Sequence, residues 1–318
     1  MAKDSGIGWT HSTWNPVEGC SKVSPACTNC YIHRSIRQQR LDAYSGKLHR
    51  TATWDDPYDW EEECCRTNTA RMVFICSLSD FFHVGIDECR AQLWAIMRRT
   101  PHLIYRVLTK RPERIKAHLP PDWGNGYPNV WLGVTVEAKQ WLHRMDTLRD
   151  VKAVLRWASV EPLLEDLSEE INLKGFGWIA VGGESGGRKG AKEHLWDPKA
   201  DWKKGLLPII GEDGKVNLDG SGLRTMKYEW AENLRKKVKA TKGCLFMMKQ
   251  VTAPRSGFGP NALDGVEWNE LPAPPNGLQW LPFKPHKPSS TMTPEQIAGF
   301  KAGLTSPFKP PVEKRTKL

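Results

Sequence analysis

Three cysteines near the amino terminus are the residues whose types and spacing most clearly indicate chemistry. They follow the sequence T-W-N-P at 13–16 and lie at Cys20, Cys27 and Cys30 in a C-x6-C-x2-C pattern. Three thiolates on one short loop form a metal site that lacks one ligand. A [4Fe–4S] cluster held by three cysteines leaves one iron open to a substrate or cofactor, whereas structural zinc takes four closed ligands.

The cysteine spacing by itself leaves both metals open. For zinc, His33 would complete a set of four ligands, because Cys27-x2-Cys30-x2-His33 is compact enough to close around one ion. For a cluster, His33 would be an ordinary helix residue. Zinc sites usually come as two separated ligand pairs, and this is a single group. A trio of reduced structural cysteines is the less favoured interpretation.

Composition narrows the class of protein. The 318 residues carry a formal net charge of +10 and include 15 tryptophans, which favours a polyanionic partner such as DNA or RNA. The eight cysteines are unevenly spread, so metal ligation fits them better than disulfides. The first residues are polar and no apolar run reaches the length of a membrane span. We therefore expect a soluble cytoplasmic protein with no membrane partner.

Apolar, strand-like runs alternate with helical patterns along the chain. The runs lie at 72–76, 104–108, 130–134, 153–157, 178–181 and 244–248, after a first strand expected near 9–14. Helical patterns lie at 31–40, 87–99, 112–118, 138–149 and 227–240, and 41–68 is an irregular stretch with at most one short helix. The alternation predicts an α/β fold with a parallel sheet, and the number of units favours a barrel over an open sheet.

Polar residues follow each predicted strand. They are Ser77, Ser79, Asp80, Lys110, Arg111, Thr135, Glu137, Ser159, Glu161, Gly182, Gly183, Glu184, Lys249 and Gln250. In an α/β barrel the carboxyl ends of the strands converge on one mouth, so these residues would share a site with the cysteine loop. Loops begin with polar residues in any fold, but an acid or base after nearly every strand favours a common site.

Two segments depart from this alternation. Residues 187–222 are rich in Gly, Lys and Asp and are interpreted as an insertion above the mouth, with a small hairpin at 211–220. Its tryptophans, Trp196 and Trp202, are of the type that stacks on bases. Residues 284–318 are interpreted as a flexible basic tail rich in Pro and Lys, which leaves 1–283 as the barrel domain.

The sequence resembles a phage and prophage family of radical S-adenosylmethionine-like proteins that share this cysteine spacing. The motifs that carry the resemblance run from Thr13 to Glu270. They are T-W-N-P-V-x-G-C, C-x2-C-Y, S-x-S-D-x-F-H, L-T-K-R-P, V-W-L-G-V-x-V-E, S-V-E-P-L, G-G-E-S-G, K-Q and L-D-G-x-E-W-N-E. The resemblance therefore covers most of the chain and leaves out the insertion and the tail.

The resemblance implies a partial (β/α) barrel of about six to seven parallel strands. Cys20, Cys27 and Cys30 would hold a [4Fe–4S] cluster whose open iron binds the amino and carboxylate groups of S-adenosylmethionine. Reduction of the bound cofactor by an external reductant would give a 5′-deoxyadenosyl radical that takes a hydrogen atom from the substrate. The first cysteine gap departs from the commonest motif of such enzymes, in which it is three residues, and Asn29 stands where that motif has an aromatic residue.

Within the fold that the resemblance implies, position suggests roles for the residues that follow the strands. Ser77, Ser79 and Asp80 are placed for the methionine amine, and Glu137 or Glu161 for the ribose hydroxyls. The further cofactor-binding candidates are Thr135, Ser159, Gly182, Gly183 and Glu184, and the catalytic candidates are Glu184, Lys110 and Asp80. The Gly-Gly-Glu at 182–184 ends a later strand than the comparable motif of radical S-adenosylmethionine enzymes. By their position at a strand end, Lys110 and Arg111 would either neutralise a phosphate or the cofactor carboxylate or form a solvated pair on the loop.

The expected function is modification, rearrangement or repair of a nucleobase in nucleic acid, DNA in preference to RNA, or in a nucleotide. A base within a duplex would have to be flipped into the mouth. Two alternatives remain open: a zinc-stabilised nucleic-acid-binding protein without catalysis, and a radical enzyme that acts on a peptide or small molecule. The acids Asp80, Glu137, Glu161 and Glu184 argue against a simple binder, because they would repel phosphates.

Overall fold

The structure, a computed structural model, describes residues 5, 7, 9–27, 30–34, 48–184, 226–250, 262–263 and 266–282. Its strands are β1 (Ser12–Trp14), β2 (Val17–Glu18), β3 (His49–Arg50), β4 (Thr69–Ile75), β5 (Leu103–Thr109), β6 (Val130–Thr135), β7 (Leu155–Val160), β8 (Trp178–Gly182), β9 (Leu245–Gln250), β10 (Ala262–Leu263), β11 (Val266–Glu267) and β12 (Gln279–Trp280). Its helices are α1 (Asp56–Thr67), α2 (Asp87–Arg99), α3 (His143–Arg149) and α4 (Tyr228–Ala240).

The main sheet is parallel and follows the order of the chain. Its strands are arranged β1-β4-β5-β6-β7-β8-β9, and β12 pairs in parallel with the start of β4 outside this order. Within the described residues β1 and β9 are the two ends of the path, so the barrel is open. The chain is therefore a partial (β/α) barrel of seven strands, which confirms the predicted fold class.

The strands are apolar on both faces because each face packs against a different layer. Along β6, Leu132 and Val134 belong to the core that lies under the helices. Trp131 belongs to a second core on the opposite, concave face. Side chains alternate between the two faces of a strand. This double burial explains why the strands appear in the sequence as continuous apolar runs.

Tryptophans fill the concave face of the half-barrel. Trp9, Trp131, Trp157 and Trp178 are all buried there and form one cluster with Phe74. We call this cluster the tryptophan floor. The ring centroids of Trp157 and Trp178 are 5.2 Å apart, and those of Trp9 and Trp157 are 5.5 Å apart. The interior is a packed core, as expected for a barrel of this type.

One glycine of β6 is needed for this packing. A Cβ atom on Gly133 would lie 2.4 Å from Cε2 of Trp157, closer than real Cβ contacts come. The indole of Trp157 therefore covers the backbone of the neighbouring strand, and no other residue type fits at position 133 without movement of that ring.

The helical predictions differ in quality. Helix α2 has the predicted bounds, and α4 begins one residue later than predicted. The predicted helix at 112–118 is wrong, since the segment forms two 3₁₀ turns, Pro112–Arg114 and Lys116–His118. Seven residues ahead of the pair of prolines at 120–121 are too few to repay the cost of nucleating an α-helix.

Other predicted segments are shortened or lie elsewhere. The pattern at 138–149 gives a 3₁₀ turn, Lys139–Trp141, followed by the short helix α3. The predicted helix at 31–40 begins as a 3₁₀ turn, Tyr31–Arg34, and 35–40 lie outside the described residues. The irregular stretch contains α1, which ends where Asn68 adopts a left-handed conformation with φ of 51°.

The interpretations of 187–222, of the hairpin at 211–220, of Trp196 and Trp202 and of the tail at 284–318 also fall outside the described residues. None of the helices in the described part of the chain combines the length and the apolar character that crossing a membrane requires.

Candidate metal and cofactor site

Strand alternation places several predicted site residues directly above the tryptophan floor. Thr135 lies two residues beyond Gly133 on β6, and Ser159 lies two residues beyond Trp157 on β7. Thr135 and Ser159 are paired in the sheet. Because residues two apart share a face, both point to the concave side at the carboxyl end of the strands. Gly182 has the same relation to Ala180 on β8.

The cysteine loop is attached to this end of the sheet by backbone contacts. Gly19, with φ of 118°, donates its N–H to the carbonyl of Leu78, just beyond β4, at 3.0 Å. A glycine suits this left-handed conformation, and it immediately precedes Cys20. Cys27 ends the 3₁₀ turn Pro25–Cys27, and its carbonyl accepts the N–H of Cys30 at 3.3 Å. Cys27 is buried, whereas Cys20 and Cys30 are half-buried.

Asn15 holds the loop after β4, a role that the sequence analysis missed. Its Nδ2 donates to the hydroxyl of Ser77 at 2.9 Å, and its Oδ1 accepts the N–H of Leu78 at 2.8 Å. The hydroxyl of Thr51 donates to the carbonyl of Asn15 at 2.7 Å. The signal was present in the T-W-N-P motif, whose Asn is the residue type that can donate and accept at once. Ser77 as a methionine-amine ligand stays a prediction.

Asp80 accepts hydrogen bonds on both carboxylate oxygens and orients the loop after β5. Oδ1 accepts the N–H of Phe82 at 2.9 Å and the hydroxyl of Thr109 at 2.6 Å. Oδ2 accepts the N–H of Lys110 at 3.0 Å and Nη1 of Arg111 at 2.9 Å. Asp80 is buried, so this set of donors stabilises its charge. The geometry gives Asp80 a positioning role, and its catalytic role stays a prediction.

Arg111 connects Asp80 to the first cysteine. Its Nη2 donates to the carbonyl and the hydroxyl of Ser21 at 2.9 and 2.8 Å, and its Nη1 lies 3.9 Å from Sγ of Cys20. Burial raises the pKa of Cys20 to about 12, Asp80 adds to the rise, and Arg111 opposes it. His83 packs behind the loop with Nε2 at 3.0 Å from the Ser21 hydroxyl, which supports a packing role for this histidine.

Lys110 acts on the other two cysteines, Cys27 and Cys30. Burial raises the pKa of Cys30 to about 11, Cys27 adds to the rise, and Lys110 opposes it. Burial works against the charge of Lys110, but Cys27 and Glu137 hold its pKa above the ordinary value. The ammonium therefore stays protonated and offsets the negative charge of Glu137 and of thiolates at Cys27 and Cys30.

Glu137 forms a buried ion pair with Arg144, which the sequence analysis did not single out. The two side chains are 0 % and 2 % exposed, and Nη1 of Arg144 donates to Oε2 of Glu137 at 2.9 Å. The guanidinium of Arg144 also lies 4.1 Å from the ring centroid of Trp141. The second oxygen, Oε1, is buried and has no hydrogen-bond partner in the described part of the chain. Glu137 therefore keeps an acceptor for a hydroxyl or amine of a ligand.

The remaining acids also act on the cysteine loop. Glu184 is buried, and its charge contributes to the raised pKa of Cys30. Tyr31 is 43 % exposed as a whole, but desolvation of its hydroxyl raises its pKa, and the charges of Cys30 and Glu161 add to the rise. The hydroxyl of Tyr31 donates to the carbonyl of Ser77. Asp80 thus acts on Cys20, Glu184 on Cys30, Glu161 on Tyr31 and Glu137 on Lys110, each from the loop that follows a strand of the sheet.

The predicted residues that remain take part mainly through their backbone. The carbonyl of Ser159 accepts the N–H of Val136 at 3.0 Å, and the carbonyl of Gly182 accepts the N–H of Leu163 at 2.9 Å. The backbone N–H of Ser79 donates to the carbonyl of Cys76 at 3.1 Å. Cofactor contacts by these residues, by Thr135 and by Gly183 stay predictions.

The donor set fits a cluster held by three cysteines. Within the described residues, no three His, Cys, Asp or Glu side chains are gathered as a single metal ion requires. The cysteines of an iron–sulfur cluster ligate different irons, so they need not surround one point. Three thiols on one loop, with Arg111 beside Cys20 and Lys110 acting on Cys27 and Cys30, supply both ligands and compensating charge. The side chain of His33, the fourth zinc ligand, lies outside the description.

A family model gives the identity of the chain. The model described as "Protein of unknown function (DUF5131)" matches residues 4–202. The chain belongs to this family. The DUF5131 match includes the three cysteines and the strand ends as far as Glu184, and no curated protein matches the sequence.

The DUF5131 chain is also similar to solved structures of spore photoproduct lyase. One mutant of that protein has a TM-score of 0.48 at 13% identity, covering 76% of this chain and 77% of that chain. A mutant with bound AdoMet and dinucleoside spore photoproduct has a TM-score of 0.44 at 12% identity, covering 73% and 74%. At these values the likeness carries no argument about function, which rests on the site's own residues.

Proposed function

We propose that this protein is a radical S-adenosylmethionine enzyme in which Cys20, Cys27 and Cys30 hold a [4Fe–4S] cluster. The observation that carries the proposal is the group of three cysteines on one loop, with Arg111 at Cys20 and Lys110 acting on Cys27 and Cys30, at the carboxyl end of the half-barrel strands. When bound, the cluster and its cofactor supply the electron and the 5′-deoxyadenosyl radical that takes a hydrogen atom from the substrate.

The cations compensate the charge that ligation creates. Burial keeps the thiols of Cys20 and Cys30 neutral at ordinary pH, so loading the site releases protons and leaves thiolates in a place poor in water. Lys110 and Arg111 lower the cost of those charges. Asp80 fixes the Arg111 guanidinium and the Lys110 backbone, so both cations depend on one carboxylate.

The acids and the tryptophan floor suit the cofactor and the radical. Oε1 of Glu137 is an unused acceptor suited to a ribose hydroxyl, and Glu184 is a buried carboxylate that acts on Cys30. Below them the packed tryptophan floor closes the concave face and excludes water from that side. A radical intermediate has to be kept from solvent and from stray C–H bonds.

The substrate class follows from charge. The net charge of +10 favours a polyanion, such as the phosphate backbone of a nucleic acid. We propose that the substrate is a nucleobase in nucleic acid, DNA in preference to RNA, or in a nucleotide, and that an external reductant supplies the electron. The buried acids that line the mouth favour this enzyme over a zinc-stabilised binder, because carboxylates have no use in holding phosphates.

The experiment is anaerobic reconstitution with iron and sulfide, followed by S-adenosylmethionine and a reductant. We expect a coloured protein with about four irons per chain that forms 5′-deoxyadenosine. Cys27→Ala should lose both the cluster and the product. Cys244→Ala is the matched control, because Cys244 is also buried but precedes β9 at the opposite end of the sheet. A colourless, zinc-loaded protein that forms no 5′-deoxyadenosine would contradict the proposal.

A further inference from the structure

A cleft lies beside the cysteine loop on the outer edge of the mouth. It has a volume of about 380 Å³ and is formed by the cysteine loop and by the loops that follow β4, β5 and β6. Its lining includes Lys110, Arg111, Arg114, Trp141, His143 and Arg144. We call it the outer rim cleft. The function proposed above uses Lys110 and Arg111 of this set and leaves the others unexplained.

Hydrogen-bond donors are left over in this cleft. Arg114 donates from Nε to the carbonyl of Phe82 and from Nη2 to Asp87, which leaves Nη1. Arg144 makes both of its hydrogen bonds from Nη1, which leaves Nε and Nη2. Together with Nζ of Lys110, these groups have no acceptor in the described part of the chain. Nε1 of Trp141 is buried and likewise without a partner among the described residues.

The acids near the cleft do not use these donors. Asp87 binds Arg114 at 2.7 Å and Glu137 binds Arg144 at 2.9 Å, and each leaves part of that guanidinium without an acceptor in the described part of the chain. Asp80 binds Arg111, whose other nitrogen Nη2 is taken by Ser21. Glu113 also lines the cleft and is its opposing charge. A lining with surplus donors and few acceptors fits a ligand made of acceptors. Phosphate oxygens meet that description, and arginine is the residue that binds them in a fork.

We propose that the outer rim cleft binds a phosphodiester of the nucleic-acid strand that carries the target base. This inference rests on the proposed function and names the part of the chain that holds its substrate. Lys110 both lines the cleft and acts on Cys27 and Cys30, so a phosphate held there leaves the neighbouring nucleotide at the mouth. The rings of Trp141 and His143, with centroids 5.8 Å apart, offer a stacking surface to an adjacent base.

A nucleic-acid strand is favoured over a free nucleotide as the ligand, because the hydrogen-bond donors come from separate loops. Lys110 and Arg114 follow β5, whereas Trp141 and Arg144 follow β6. A phosphate backbone that crosses the rim meets both loops in turn. Its affinity would then depend on salt, since each neutralised phosphate releases counterions.

The test is fluorescence anisotropy of a labelled single-stranded DNA with the reconstituted full chain over a series of salt concentrations. Arg114→Gln and Lys110→Met should each raise the Kd about tenfold and reduce the slope of log Kd against log salt by about one. Trp141→Phe should raise the Kd about threefold, since it removes the unpartnered donor and reduces the stacking surface.

The matched control is a second basic groove at the other end of the sheet, lined by Lys174, Lys237 and Lys242. Lys174→Gln should change the Kd by less than about twofold, because a single exposed charge away from the strand contributes little. Equal losses of DNA affinity in Lys174→Gln and Arg114→Gln would overturn the proposal, since they would indicate binding through the overall charge of the protein.

The outcomes separate this inference from the proposed function. Iron content and 5′-deoxyadenosine formation without substrate are measured on the same variants. If Arg114→Gln and Lys110→Met bind DNA as tightly as the wild type while the cluster is intact, the cleft proposal fails and the proposed function stands. If no cluster forms in any chain but the two variants lose DNA affinity, the proposed function fails and the cleft stands. Displacement of the DNA by a mononucleotide at equal phosphate concentration would overturn the strand as the occupant.

Discussion

The two ends of the half-barrel interior are built from opposite chemistry. The tryptophan floor is a packed cluster of large rings, and Gly133 has no side chain that would collide with the ring of Trp157. The mouth is built from charges that are paired one with another, such as Asp80 with Arg111 and Glu137 with Arg144. The same strands supply both ends, so the strand sequence changes from apolar to polar over a few residues. The floor gives stability and exclusion of water, and the mouth gives the groups that hold ligands.

Arg106 is the exception within the floor. It is fully buried, with its guanidinium 4.7 Å from the ring of Trp9 and 5.1 Å from that of Trp178. None of its three guanidinium nitrogens has a hydrogen-bond partner in the described part of the chain. Burial lowers its pKa well below the ordinary value. The mouth pairs most of its charges, whereas this charge is stabilised by aromatic faces.

The largest expected effect comes from the mouth. Asp80→Asn removes the charge that Arg111 pairs with and replaces an acceptor by a donor, so it should cost about 3 to 5 kcal/mol of unfolding free energy. It should also lower the iron bound on reconstitution. Urea unfolding and iron analysis measure the two effects. The control is Asp122→Asn, since Asp122 forms an exposed pair with Arg98 and its loss should be much smaller. Equal losses in the two variants would contradict the role given to Asp80.

The next effect tests the floor. Gly133→Ala places a Cβ at 2.4 Å from the Trp157 ring and should cost about 3 kcal/mol, because the surrounding rings cannot move apart freely. The matched variant is Gly177→Ala, whose nearest contact would be Cγ of Leu155 at 3.4 Å. Urea unfolding should separate the two clearly. A Gly133→Ala protein as stable as Gly177→Ala would show that the floor is loosely packed.

A buried histidine, His11, should make the free energy of unfolding depend on pH. Nδ1 of His11 accepts the N–H of Met72 at 2.8 Å and Nε2 lies 2.6 Å from the carbonyl of Leu281, a set that only the neutral ring satisfies. Burial lowers the pKa of His11 to about 4, and the hydrogen bond to the Leu281 carbonyl offsets only part of that fall. The unfolded chain therefore binds the proton more readily than the folded one. The contribution of His11 to the free energy of unfolding is complete above about pH 6.5 and is lost as the pH falls towards 4.

Urea unfolding should show that the free energy of unfolding falls by about 2 kcal/mol between pH 7.5 and about pH 4.5 through His11. Carboxylates titrate in the same range, so the comparison is with His11→Gln, which should be less stable at pH 7.5 and lose less on acidification. Parallel pH profiles for the two chains would exclude His11 as the cause.

The smallest effect concerns Arg106. Arg106→Met keeps most of the volume and removes a buried charge that has no acceptor, so it should raise the unfolding free energy by about 1 kcal/mol. Thermal unfolding measures the change. Lys116→Met, at a solvent-facing position of a 3₁₀ turn, is the control for loss of one positive charge. A large loss of stability in Arg106→Met would show that the aromatic faces hold the guanidinium more strongly than water does.

The sequence by itself determined the class of fold, and it predicted a metal site at the three cysteines. Apolar runs separated by helical patterns predict parallel strands for any conformation of the loops. Helix α2 was predicted with its observed bounds because its apolar spacing and flanking residues are local signals. The positions of Thr135, Ser159 and Gly182 on one face follow from an alternation of two residues. The three cysteines were predicted to be metal ligands from their spacing, which by itself left zinc and an iron–sulfur cluster open.

Only the tertiary structure decided which side chains meet. The ion pairs of Asp80 with Arg111 and Glu137 with Arg144 cross between loops, and the sequence holds many other acids and bases at similar spacing. The fit of Trp157 over Gly133 depends on the register of β6 with β7, and the outer rim cleft depends on four loops that end side by side. Local patterns fix the face on which a residue lies, whereas its partner across the sheet is set by register and by the packing of neighbouring loops.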